Sequence, residues 1–220
     1  MATIAKGARR NGAASRARPR VIPAAYRSAT LHIEGEAPLL MHADTLLDIT
    51  HPLTREFKEL TGKDSRSRTM DDEMNIAHIE WLAGIYHEDD IGPYLPGSMV
   101  KANLASAATR WKKGATVQRS LVVVQAKLSL EYNGPRGLED LWEEGYRDMR
   151  GAVTSGRNRG RVMRCRPMFE EWALTAEIAY DPKELDRDLL ESVCEFAQIR
   201  GLGDFRPDFG TFIATWDEKS

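Results

Sequence analysis

Cysteine is nearly absent: Cys165 and Cys194 are the only two in 220 residues, far apart and in no CxxC pair. No disulfide framework is expected, and a reducing, cytoplasmic setting is the default. Long apolar runs are absent too. The longest purely aliphatic stretch is Leu121-Val122-Val123-Val124, against the ~20 apolar residues of a membrane-spanning helix, so no membrane partner is expected. No apolar signal-peptide core follows the basic N-terminus. The chain also has no HExxH, no GxSxG elbow, no phosphate loop ending in Gly-Lys-Ser/Thr and no paired-carboxylate signature. Zincin, serine-hydrolase and nucleotide-triphosphatase chemistry therefore have no anchor, and neither metal nor cofactor is expected.

What is present is ordinary in amount and unusual in arrangement. A composition of 42% hydrophobic, 29% charged and 8% aromatic residues excludes a disordered or collagen-like chain as a whole. The length suits one large domain or one with embellishments. The formal net charge of −2 conceals a sorting along the chain. Residues 1–27 hold Lys6, Arg9, Arg10, Arg16, Arg18, Arg20 and Arg27 and no acid. Residues 147–166 hold Arg147, Arg150, Arg157, Arg159, Arg161, Arg164 and Arg166 against Asp148 alone. The remainder carries 17 basic and 32 acidic residues. Two cationic elements on an acidic body are the usual electrostatic footprint of a polyanion site.

Residues 1–27 read as a flexible basic arm, without period and with little to bury. A solvated tail and an organelle transit peptide are the other readings of such a segment. From residue 28 to 220 the pattern is that of one folded domain. Leu31 and Ile33 alternate with His32 and Glu34 as a strand, and a helix covers about Leu53–Leu60. A second helix opens at Asp71-Asp72, with His78 beside Trp81. Ser98 is placed to cap a helix whose stripe is Val100, Leu104, Ala107, Ala108 and Trp111, with Gly114 closing it. A strand over Leu121–Tyr132 turns Val122, Val124, Ala126, Leu128 and Leu130 inward. Residues 147–166 form a ribbon with its tip at Ser155–Gly160, and Trp172–Tyr180 alternates as a strand. A helix through Leu185–Ala197, a glycine-rich segment and a strand over Thr211–Trp216 complete the order. Without insertions at 43–93 and 133–166 this is β–α–β–β–α–β, an α+β ferredoxin-like core.

The glycine-rich segment carries Gly201, Gly203, Gly210 and Arg206 between a helix and a strand. Dinucleotide and phosphate loops need the opposite order, so that a helix N-terminus faces the phosphate. A C-cap accounts for Gly201. Three glycines with Arg206 suggest a backbone that approaches a phosphate, with Arg206 supplying charge.

Two segments together resemble the RAMP superfamily, the ferredoxin-like subunits of CRISPR ribonucleoproteins and their relatives from phages and prophages. They are Pro93-Tyr94-Leu95-Pro96-Gly97-Ser98-Met99-Val100-Lys101-Ala102-Asn103-Leu104 and Gly201–Phe212. The likeness extends over about residues 29–42, 91–132 and 168–216. It implies a ferredoxin-like fold, phosphate contacts at Ser98 and Lys101, and head-to-tail stacking of copies.

His42, Asp44, Asp48 and His51 stand close in sequence without any tight ligand spacing. Polar residues at the end of a strand are the simpler reading. His42 and His51 are the weak candidates for a general base. In the ribbon, Arg157, Arg159 and Arg161 alternate, as do Arg164 and Arg166. On a strand each set lines one face at about 7 Å spacing, near that of phosphates along a single strand. The expected function is non-catalytic binding of single-stranded nucleic acid, DNA or RNA, by copies that assemble cooperatively along it. The binding residues would be Ser98, Lys101, the seven ribbon arginines, Arg206 and the glycine loop. A metal-independent endoribonuclease and a structural self-assembly protein are the alternatives.

Overall fold

The computed structural model describes residues 21–64, 67–153 and 161–218. β1 (Arg27–Gly35) buries Ala29, Leu31 and Ile33 and exposes His32 and Glu34, as its alternation requires. The chain bends at Glu36–Pro38 into the two-residue β2 (Leu39–Leu40). A 3-10 turn at Asp44–Leu47 leads to α1 (Pro52–Thr61) and α2 (Met70–Gly84). Pro52 at the first helical position starts α1. A Thr69/Asp72 capping box starts α2. β3 (His87–Glu88) and β4 (Gly92–Pro96) then run into α3 (Gly97–Ala108), followed by α4 (Gly114–Ser120). β5 (Leu121–Val123), β6 (Lys127–Ser129), α5 (Leu138–Glu143), β7 (Arg147–Val153) and β8 (Arg161–Phe169) come next. β9 (Ala173–Tyr180), α6 (Arg187–Gln198) and β10 (Phe212–Glu218) close the chain.

The principal sheet has the order β10-β1-β9-β5 with every pair antiparallel. Renumbered by the six-element core, that order is 4-1-3-2, with α3 and α6 as the two crossover helices. The fold is α+β and ferredoxin-like. Two smaller sheets, β2-β8-β7 and β3-β4-β6, are built from the segments between core elements. They share one hydrophobic core with the principal sheet: Trp81, Leu95, Leu141, Cys165 and Phe169 belong to the same buried cluster as Leu31, Leu174 and Val193.

Four local expectations are corrected. Ser98 does not cap α3: the helix begins at Gly97, Pro96 is the cap residue, and no side chain caps it. The cause is a close approach. Gly97 N–H donates to the Ala126 carbonyl at 2.9 Å, and a Cβ on Gly97 would run into the Gln125 carbonyl oxygen. Gly114 opens α4 instead of closing α3, which ends through a 3-10 turn at Thr109–Trp111 and a left-handed Lys112 (φ 59°). Trp111 is therefore 37% exposed, edge-on to Phe196, and not part of the buried stripe. The long strand at 121–132 is broken at Val124–Ala126, because β5 pairs with β9 while β6 pairs with β4. The side chain of Gln125 accepts from Glu177 N–H at 2.8 Å across the break. Facing parity slips there, so Leu121 and Val123 point inward, then Leu128 and Leu130, instead of Val122, Val124 and Ala126.

Candidate nucleic-acid interface

β7 and β8 pair from Arg147↔Pro167 to Val153↔Arg161, the ribbon that the sequence indicates. Opposed residues share a face, so Asp148, Arg150, Arg164 and Arg166 lie together. Arg150 directly faces Arg164, a like-charge pair that destabilises a ribbon unless each charge is matched. Both are matched. Arg150 is held by two bonds to Asp148 and lies over Phe209 (4.1 Å to the ring centre) and Phe205 (5.2 Å). Arg164 bonds Glu80 of α2, a buried carboxylate that also accepts from Cys165 N–H at 3.0 Å. Arg166, only 8% exposed, donates from Nε to Asp204 at 3.1 Å. On the opposite face Arg147 stacks on Trp142 at 4.3 Å and bonds its carbonyl. These four arginines fasten the ribbon to α2, α5 and the glycine-rich loop. Arg161 enters through its backbone pairing with Val153. Arg157 and Arg159 lie outside the described residues.

The glycine-rich loop packs against the strand that follows β1. Asp204 N–H donates to the Leu40 carbonyl at 2.8 Å, and Gly210 N–H to that of Pro38 at 2.9 Å. Gly201, Gly203 and Gly210 all have positive φ (70°, 80° and 69°), the region that favours glycine. A Cβ on Gly203 would enter the Leu40 carbonyl, so the close backbone approach indicated by the glycines is made to the protein's own chain. Phe205 also has positive φ (52°), uncommon for a bulky residue. Arg206 is exposed, and with Arg200, Ser106 and Phe205 it borders an open groove of about 620 Å³. Arg200 donates to Ser106 Oγ at 2.7 Å, which ties the groove to α3.

Two residues of this junction carry no weight in a motif search. Asn103, buried in α3, donates Nδ2 to the carbonyls of Gly201 and Ala197, joining the helix to the C-terminal end of α6. Its trace in the sequence is a polar residue within an apolar helical stripe. Asp204 is approached by His42 Nδ1 at 3.3 Å as well as by Arg166. The hydrogen bond from His42 first, and then those from Arg166 and the Phe205 N–H, hold its carboxyl well below the usual range against the effect of burial.

His42 and His51 do not converge. His51 caps α1, accepting from Leu53 N–H at 3.3 Å, while His42 turns to the glycine-rich loop. Asp48 accepts from Thr50 N–H (2.8 Å) and Oγ1 (2.7 Å), which lowers its pKa. Ser98 is exposed in the first turn of α3. Lys101 lies one turn before Ala105, whose carbonyl packs on Gly114 of α4. Asn103 and Ser106 are on the other flank, toward α6 and the loop. The ribbon, His42 and the glycine-rich loop thus meet at one place, and Ser98 and Lys101 stand in the first two turns of α3. Burial pushes the thiols of Cys165 and Cys194 up to about 12, so neither is a nucleophile at neutral pH.

Fold and site together define a ferredoxin-like α+β domain with an arginine-rooted ribbon docked on a glycine-rich loop. No family model matches the chain, and no curated protein matches it. Among solved structures it is similar to a chain of the cryo-EM structure of the Type III-B Cmr-beta bound to cognate target RNA. That similarity has a TM-score of 0.41 at 14% identity and covers 88% of this chain and 61% of that one. The matched part is therefore less than two thirds of that chain's length. Among the described residues no helix is long and apolar enough to cross a membrane.

Proposed function

We propose that the protein is a RAMP-related, non-catalytic binder of single-stranded nucleic acid, with phosphates held by the segment that joins β7 to β8. The observation that carries this reading is the charge of the ribbon, seven arginines against Asp148 alone. Arg147, Arg150, Arg164 and Arg166 are spent on anchoring within the protein. The chain nevertheless places three further arginines, Arg157, Arg159 and Arg161, in and beside the connecting segment, where no acid accompanies them. A hairpin kept in place by internal ion pairs and loaded with extra guanidinium groups beyond its root suits a polyanion. The exposed Arg206 on the adjacent groove extends the positive surface. Copies are proposed to align along the strand, since an acidic body beside a cationic ribbon favours repeated contacts once phosphate is bound.

Replacing Arg157, Arg159 and Arg161 together by alanine tests the reading. Affinity for a single-stranded oligonucleotide should fall, and the slope of log K against log salt should flatten by about 2, at ~0.7 per lost phosphate contact. An unchanged slope in a folded variant would remove the ribbon from the binding site.

A second reading rests on one contact. His42 is half-exposed and oriented by the Asp204 carboxylate at the same junction, the arrangement of a histidine general base. RNA cleavage by the wild-type chain that is lost in His42→Ala would replace the binding reading with that of an endoribonuclease.

A further inference from the structure

α3 and α6 cover one face of the principal sheet, and the other face carries a row of linked polar groups. His32 of β1 reaches Asp217 of β10 (Nε2 to Oδ2, 3.5 Å) and Thr175 of β9 (3.3 Å), and Thr175 donates to Glu131 at 3.4 Å. Glu34 and Glu177 stand on the same face by register. Glu177 and Asp217 both flank Thr30, and Glu34 lies opposite Ala173, the residue that Glu131 bridges. Four carboxylates thus form two pairs four residues apart along β1, about 13 Å. The residues that β10, β1, β9 and β5 present on this face include no lysine or arginine. Tyr132 and Trp172 border its Glu34/Glu131 end, and its charge repels phosphate. Charge complementarity favours a cationic partner here.

We propose that this face is the docking surface for the protein's own N-terminal segment, residues 6–20, bound in the same molecule. The segment carries six of the chain's basic residues and no acid: Lys6, Arg9 and Arg10 in one group, Arg16, Arg18 and Arg20 in another. Two basic groups meet two carboxylate pairs. The segment joins the fold at one end of this face, because β1 begins between the end of β10 and the end of β9. Reach is ample: twenty residues span up to about 66 Å when extended. Tethering sets an effective concentration in the millimolar range, which a second copy's segment at ordinary concentration does not match. The contact is electrostatic and exposed, so it is sensitive to salt. It does not depend on the nucleic-acid reading.

Ala17→Cys allows a nitroxide to be attached within the segment without altering its charge, since Cys165 and Cys194 are buried. In ¹⁵N-labelled protein at low salt, the amide signals of His32, Thr175 and Thr215 should broaden selectively and recover at molar salt. In the same background Glu34→Lys with Asp217→Lys should abolish the broadening while leaving the remaining spectrum unshifted. Absence of broadening on this face in the unaltered background overturns the proposal. So does broadening centred on β7 and β8, or broadening seen only when the nitroxide is carried by an admixed isotope-free copy. That last result would assign the face to a neighbouring molecule.

Discussion

Asp204 is bonded by His42, Arg166 and the Phe205 N–H, and its carboxyl is held well below its unfolded value of 3.8. A depressed folded pKa means that the ionised group stabilises the fold above the unfolded pKa, and that this contribution is lost as pH falls through the folded one. Asp204→Asn should therefore cost about 1–3 kcal/mol at neutral pH, the range for leaving a buried charged partner unmatched. The gap between wild type and variant should narrow steadily below about pH 4. Urea midpoints measured from pH 7 downward check this. A difference that stays constant across the acid range would show that Asp204 acts by shape and not by charge. The same residue explains why Arg166 tolerates burial: its charge is matched where it lies.

At the scale of elements, β7 and β8 form a hairpin that would be marginal alone, joined only at the base of β8 by the two-residue β2. Its stability is borrowed through side chains from α2, α5 and the glycine-rich loop. Glu80 is the principal tie to α2, serving the Arg164 guanidinium and the Cys165 N–H at once. Glu80→Gln keeps the shape and removes the charge, leaving Arg164 without its counter-ion. The expected result is faster amide hydrogen exchange in β7 and β8, with protection in β1 and β9 unchanged, because local opening is confined to the unit that lost its anchor. A uniform loss of protection through the principal sheet would contradict a ribbon secured locally. The break between β5 and β6 belongs to the same scale. It lets one run of chain pair first with β9 and then with β4, and so couples the principal sheet to a smaller one.

The described residues form one buried hydrophobic cluster, to which residues from every sheet contribute. Trp81 shows how the added segments enter it. Its ring is buried and its Nε1 donates to the Tyr146 carbonyl at 2.8 Å, so the α2 segment and the approach to β7 are joined through one side chain. Residues 28–220 should accordingly unfold as one unit. Circular dichroism of the helices and tryptophan fluorescence should give coincident denaturation curves. Two resolved transitions would show that the segments between core elements form a separate domain.

Element type was legible in the sequence wherever local pattern decides it. The alternations of Leu31/Ile33 and Leu174/Ala176/Ile178, the N-terminal signals of α1 and α2, and the charge sorting needed no knowledge of partners. The six-element order, and with it the ferredoxin-like core, followed from those patterns. What the tertiary structure decided is which groups meet. Gly97 starts a helix because the backbone at Gln125 lies against it, and Val122 faces outward because its strand changes partner three residues on. The ribbon arginines look alike in sequence. Among those described, fates diverge because Glu80 and Asp204, 84 and 38 residues away along the chain, are brought to Arg164 and Arg166, while Arg150 bonds Asp148 and Arg147 stacks on Trp142. Periodicity is a property of neighbours in sequence and is read directly. The partner of a charge is a property of neighbours in space, and only the folded chain supplies it.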